Sequence, residues 1–128
     1  GRNTLIVDAY NANPTSMEAA LKNFATVQAD HKVALLGDML ELGADSAALH
    51  YETGVLAAAC GMDLVLTQGN DAVEITRGAG DRGKHFERKL DLLQSLNELI
   101  HPGDTVLVKA SRSMRFEEIV DALLKLRL

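Results

Sequence analysis

The side chains best suited to ligand chemistry fall in four short segments. Asp8, Tyr10 and Asn11 make up the first. Asp8 offers a carboxylate to a ribose hydroxyl or a metal-bound water. Tyr10 offers a flat face for stacking on a base or sugar, and Asn11 both a donor and an acceptor. In Gly37-Asp38-Met39-Leu40-Glu41-Leu42-Gly43, Asp38 and Glu41 suit a cationic or metal-bound group. Gln68-Gly69 is a third, smaller polar segment. The fourth, Lys109-Ala110-Ser111-Arg112-Ser113-Met114-Arg115, sets two hydroxyls and three cations just ahead of an expected helix. Helix starts attract anions through free N–H groups and the macrodipole, and Arg112 can grip a carboxylate or phosphate with two parallel bonds. His50 suits either a packed structural role or a substrate contact, with Gly54 one helical turn on leaving room beside the ring. Each segment also has a plain structural reading. Turns use Asp and Asn regardless of function, acids can stay solvated, and serines can merely cap. Residue type alone leaves both readings open, and no catalytic residue or metal ligand set is assigned.

The elements that must position these groups follow from periodicity. Leu5–Val7 reads as a buried strand. Asn13 can cap the helix that follows and Pro14 suits its first position; Thr15 and Glu18 offer a competing capping box. Met17, Ala20, Leu21 and Phe24 then mark one helical face. Val33–Leu36 is a second buried strand. Asp45 or Ser46 can start the next helix, with Leu49, Leu56 and Ala59 along its stripe and Gly61 ending it. Leu64–Thr67 is a third strand and Ala72–Arg77 a short helix. Gly78–Lys84, rich in glycine and charge, is predicted to be a mobile connection, with a short strand at His85–Glu87. A helix carrying Leu90, Leu93, Leu96, Asn97 and Ile100 comes next, then the turn Pro102-Gly103-Asp104 and a fifth strand at Thr105–Val108. The last helix is predicted from about Met114 to Leu126, with Phe116, Ile119, Val120, Leu123 and Leu124 inward. Strand and helix alternate, so the fold class is α/β: a mostly parallel sheet of five or six strands with helices on both faces. Right-handed crossovers place every strand's carboxyl end on one rim, where the four polar segments should meet.

Composition narrows the function classes. The chain has 128 residues, enough for one domain, and 47% of them are apolar, enough for a core. A net charge of −5 without a clustered basic face argues against nucleic acid. A single cysteine, Cys60, excludes an internal disulfide and a cysteine-only zinc site. No apolar run is long enough to span a membrane, and no signal peptide is read, which fits a cytoplasmic setting. The early opening strand suggests a fragment. There is no Gly-x-x-x-x-Gly-Lys-Ser/Thr phosphate loop. Gly78–Gly83 imitates a dinucleotide fingerprint but follows a helix rather than a strand.

Three motifs together resemble the C-terminal domain of the Mur ligases. The turn Val7-Asp8-Ala9-Tyr10-Asn11-Ala12-Asn13-Pro14 is similar to that family's Asp-Asp-Thr-Tyr-Asn-Ala-Asn-Pro, with Val7 and Ala9 replacing its first Asp and its Thr. Gly37–Gly43 is similar to Gly-Asp-Met-x-Glu-Leu-Gly, and His50 to Gly54 to a His-x-x-x-Gly in the helix after it. Lys109–Glu117 resembles Lys-Gly-Ser-Arg-Ser-Met-Arg-Met-Glu, with Ala110 where glycine is usual, which bears on any positive φ required there. The resemblance implies a Rossmann-like domain, residues 1–128, closing a three-domain ligase that adds D-alanyl-D-alanine to UDP-MurNAc-tripeptide in bacterial peptidoglycan synthesis. It implies ATP and Mg²⁺, held mainly by a central ATPase domain, and an acyl phosphate attacked by the dipeptide amine. This domain would act as a lid, inactive alone. Asp8, Tyr10 and Asn11 would face the nucleotide, and Lys109, Ser111, Arg112 and Ser113 the substrates, with Asp38, Glu41 and His50 as further candidates. Two other readings fit the element order. A phospho-acceptor receiver domain also needs an Asp after strand one and a Lys after strand five, but it needs an acceptor Asp after strand three, where Thr67-Gln68-Gly69 stands. A non-catalytic interaction domain would bind nothing small.

Overall fold

The computed structural model describes residues 3–8 and 11–126. Five strands form one sheet in the order β1-β5-β2-β3-β4, with every neighbouring pair parallel. They are β1 (Thr4–Asp8), β2 (Lys32–Gly37), β3 (Leu64–Gln68), β4 (Gly83–Phe86) and β5 (Thr105–Lys109). The helices are α1 (Pro14–Ala25), α2 (Ser46–Ala59), α3 (Val73–Ala79), α4 (Lys89–Leu99) and α5 (Glu117–Leu124). The steps from β1 to β2, β2 to β3 and β3 to β4 all run the same way across the sheet, so right-handed crossovers put α1, α2 and α3 on one face. The step from β4 to β5 runs back and puts α4 on the other. The two cores agree. Met17, Leu21, Phe24, Ala57 and Ile75 pack on one face; Leu92, Leu96, Ile100, Phe116 and Ile119 pack on the opposite one.

Strand order explains which strands are buried. β5 lies between β1 and β2, and all five of its residues are buried. β1 has one partner and an open flank, so it is not the buried strand its Leu5-Ile6-Val7 run predicts: Ile6 is 36% and Val7 47% exposed. A run of apolar residues shows that a strand belongs to the sheet, but not how many neighbours it has.

Local signals set most boundaries. Asn13 Oδ1 accepts from the Ser16 N–H at 2.8 Å, and Ser16 Oγ accepts from the Asn13 N–H at 2.9 Å. That is a reciprocal cap with Pro14 at the first helical position, so Ser16 completes the box rather than Thr15 and Glu18. Two other helices present different faces from those their apolar residues suggest. α2 buries His50, Thr53, Gly54 and Ala57, while Leu49 and Leu56 are only partly covered. α4 buries Leu92 and Leu96 and leaves Leu90 exposed. In α2 the cause is a close helix crossing. A Cβ on Gly54 would lie 1.9 Å from the Ile75 carbonyl oxygen, and one on Gly78 would lie 2.1 Å from that of Tyr51. Gly54 therefore makes room for the backbone of α3, not for the His50 ring. The same contact orders the segment predicted to be mobile. α3 runs through Gly78 to Ala79, a 3₁₀ turn covers Gly80–Arg82, and β4 begins at Gly83. Arg82 fastens this turn by donating to the Met62 carbonyl at 2.8 Å.

Candidate ligand-facing rim

β5 sends its chain to the α5 face, whereas its neighbours β1 and β2 send theirs to the α1 and α2 face. Open α/β sheets bind ligands beyond the carboxyl ends of strands whose connections diverge in this way, which here are β1, β5 and β2. Three of the four polar segments meet there, and the loop after β3 adjoins them.

Lys109 ends β5, in register with Asp8 of β1. Its side chain is buried; Nζ forms an ion pair with the Asp8 carboxylate and donates to the Asn11 carbonyl at 2.8 Å. The first polar turn is thus pinned to β5 through a buried cation. The Asp8 side chain remains 49% exposed and Asn11 is exposed, so these two face outward. Tyr10 lies outside the described residues.

Asp38 binds the other loops together. Its carboxylate accepts from the backbone N–H groups of Asn70, Asp71 and Ala72 at 3.1, 3.0 and 2.7 Å. Its carbonyl accepts from Ser111 Oγ at 2.9 Å and Ser111 N at 3.3 Å. Asp38 is 6% exposed. Its acid function is therefore spent on the turn leading into α3, and Ser111 is spent on Asp38. Gly69, at φ +132°, permits this approach, since a Cβ there would lie 2.3 Å from the Asp38 carboxylate.

His50 is fully buried. Nε2 accepts from the Met39 N–H at 2.9 Å, and Nδ1 lies 2.7 Å from the Ser46 carbonyl, to which it donates. It shapes the Gly37–Gly43 loop from behind. Glu41 stays exposed on that loop in the left-handed region, at φ +61°.

The last segment differs from its sequence reading. Arg112–Met114 is a 3₁₀ turn, Arg115 sits at φ +54°, and α5 starts only at Glu117. The first turn of α5 carries Glu117 and Glu118, which already satisfy the positive end of its dipole. The left-handed residue is Arg115; Ala110 is buried and has no positive φ. Arg112 and Ser113 are exposed on the 3₁₀ turn. Lys89, at the start of α4, holds that turn by donating to the Met114 carbonyl at 2.6 Å. Nothing in its sequence context distinguishes Lys89 from a solvated helix lysine. It also borders a cavity of about 280 Å³ with Ser113, Gln68 and Asn70.

Two chemistries can be tested against this rim. Asp8 and Asn11 place a carboxylate and an amide on exposed residues of the rim. A hard divalent cation needs several free oxygens. Of the nearby acids, Asp8 is paired with Lys109 and Asp38 with three amides, so the described residues do not form a Mg²⁺ cage. The receiver arrangement does not match either: that fold places β1 inside the sheet, in the order 2-1-3-4-5, whereas here β1 is at the edge.

The family model for the Mur ligase, glutamate ligase domain, matches residues 1–112. This chain belongs to that family. It is 41% identical over 128 residues to the UDP-N-acetylmuramoyl-tripeptide–D-alanyl-D-alanine ligase of Bacillus subtilis. To the Escherichia coli enzyme of the same name it is 43% identical over 121 residues. These matches cover 95% and 93% of the chain. Among solved structures, MurF from Acinetobacter baumannii superposes with a TM-score of 0.84 at 31% identity, over 98% of this chain and 29% of that one. MurF ligase from Thermotoga maritima in complex with ADP gives 0.80 at 25% identity, also over 98% of this chain and 29% of that one. The chain spans 28% and 26% of the length of the two curated relatives. No helix among the described residues is long and apolar enough to cross a membrane.

Proposed function

We propose that this chain is the C-terminal lid of an ATP-dependent ligase that adds D-alanyl-D-alanine to UDP-MurNAc-tripeptide in the bacterial cytoplasm. The observation that carries the reading is the rim itself, where β1, β5 and β2 end together and the Lys109 and Asp38 staples hold their loops in register. Membership of the Mur ligase family and identity to D-alanyl-D-alanine-adding relatives supply the chemistry. In that chemistry ATP activates the tripeptide carboxylate as an acyl phosphate, and the dipeptide amine displaces phosphate. In this reading ATP and Mg²⁺ belong mainly to the central ATPase domain; the described residues of this rim form neither a phosphate loop nor a group of three metal-ligating side chains.

The rim residues divide by exposure. Asp8 and Asn11 approach the nucleotide, and Arg112 and Ser113 meet the carboxylate end of an incoming substrate. Lys109, Ser111, Asp38 and His50 are positioning residues, whose polar atoms are turned onto neighbouring loops. Closure would bring the outward groups over the acyl phosphate and exclude water that would hydrolyse it.

The test is steady-state kinetics of the full-length ligase. Asn11→Ala and Arg112→Ala should each lower kcat/KM by about tenfold or more, about 1.4 kcal/mol of transition-state stabilisation. The isolated 128-residue chain should form no amide from the complete substrate set. Wild-type kinetics in both variants, or ligation by the isolated chain, would refute the lid.

A further inference from the structure

At the pole opposite the rim, His31, His101 and Asp104 bring one ligand atom each within 4.8 Å of one another. His31 precedes β2 and Asp104 precedes β5, whose first residues Lys32 and Thr105 are register partners. The Thr105 N–H donates to the His31 carbonyl at 3.1 Å, so the two strand starts are fixed side by side. Asp104 is 2% exposed, with its carboxylate oriented from behind: Oδ2 accepts from the His101 N–H at 2.9 Å. Oδ1 meets His31 Nδ1 at 2.9 Å. The His31 and His101 rings stand 6.0 Å apart on the solvent side, tilted to each other by 38°.

We propose that these three side chains bind a divalent transition-metal ion of the zinc class. Two imidazoles and one carboxylate form a borderline nitrogen–oxygen set that suits Zn²⁺, Co²⁺ or Ni²⁺ and not the oxygen-seeking Mg²⁺. With bonds near 2.0–2.2 Å, ligand atoms on a tetrahedral ion stand about 3.4 Å apart, so a pair at 4.8 Å closes by about 1.4 Å while His31 Nδ1 and Asp104 Oδ1, 2.9 Å apart, open by about 0.5 Å. The exposed His101 ring can supply most of that movement while Asp104 stays anchored by its second oxygen. The ion takes the place of the proton shared by His31 and Asp104 and leaves room for water on the solvent side. It clamps the starts of β2 and β5, whose far ends carry the Asp38 and Lys109 staples. The site does not depend on the ligase reading, because it shares no residue with the rim.

The test is titration of the 128-residue chain with Zn²⁺ by calorimetry, and with Co²⁺ by visible absorption. One ion per chain is expected, with histidine ring NMR signals of His31 and His101 moving on Zn²⁺ addition. His31→Gln and His101→Gln should each weaken binding by about tenfold or more, while His85→Gln should leave it unchanged. Thermal melts in chelator establish that the variants are folded, and the ring signals of the unaltered chain decide the matter if one is not. No binding at millimolar Zn²⁺, or binding that survives either substitution undiminished, overturns the site.

Discussion

Replacing Asp38 isolates what holds the rim together. In Asp38→Ala the N–H groups of Asn70, Asp71 and Ala72 lose their acceptor, while the carbonyl of residue 38 still accepts from Ser111. Ala72 is fully buried, so water does not readily replace the carboxylate at its amide. A hydrogen bond to a charged acceptor contributes about 1.5–3 kcal/mol, and orphaning a buried donor costs about 1–3 kcal/mol. The three bonds share one carboxylate and do not add. We therefore expect a loss of about 3 kcal/mol, or about 10 °C in Tm for a chain of this size. Asp38→Asn refines the expectation. Oδ1 carries the bonds to Asp71 and Ala72, and Oδ2 the bond to Asn70. An amide can keep the first two, but it sets its NH₂ against the Asn70 N–H, so about half the loss should remain. Urea unfolding gives the energies. Hydrogen exchange gives the location, with protection falling at residues 70–72 and persisting at Ser111. If Asp38→Ala lies within about 0.5 kcal/mol of the parent chain, as an ordinary surface change does, the stapling account fails. It fails equally if Asn proves as damaging as Ala.

Two further outcomes follow from the packing. Gly54→Ala would drive a Cβ to 1.9 Å from the Ile75 carbonyl oxygen, a backbone atom that cannot rotate away. Urea unfolding should show a loss of about 3 kcal/mol or more, at the severe end of overpacking; unchanged stability would mean that α2 and α3 do not cross so closely. Burial lowers the pKa of His85 below its ordinary value, with the charges of Glu87 and Asp38 opposing part of that shift. The unfolded chain then takes up this proton first. Stability from this group is full above about pH 6.5 and declines as pH falls from there toward the lower folded value. Unfolding midpoints from pH 8 to 5 should show a decline that His85→Gln reduces; an identical profile in the variant would refute it.

Much of the fold was legible because each element announces itself locally. The cap at Asn13 and Pro14, the runs of β2 and β5 and the Pro102-Gly103 turn all lie where residue chemistry puts them. What failed depended on other elements. Gly78–Lys84 has the composition of a linker, yet Gly78 is one half of a helix crossing whose other half, Gly54, lies 24 positions away in the sequence. The apolar residues of β1 say strand, but only the order β1-β5-β2 makes it an edge. The late start of α5 reflects the αL turn at Arg115, a conformation that an arginine does not advertise.

The candidate site was legible in location and not in role, for one physical reason. Carboxylates, hydroxyls and ammonium groups past the end of a strand can satisfy a ligand or the unpaired backbone of the next loop, and both uses call for the same residue types. Asp8 follows its apolar run directly and Asp38 follows its own after Gly37, and each looks like an acid poised for a ligand. Asp38 ends a central strand with loops on either side, so three amides surround it. Asp8 ends the edge strand and pairs with Lys109, and about half of its side chain remains exposed. Ser111 and Ser113 divide the same way, the first turned inward onto Asp38 and the second carried out by the 3₁₀ turn. Strand order thus separates Asp38, closed in by loops, from Asp8, whose carboxylate stays partly exposed.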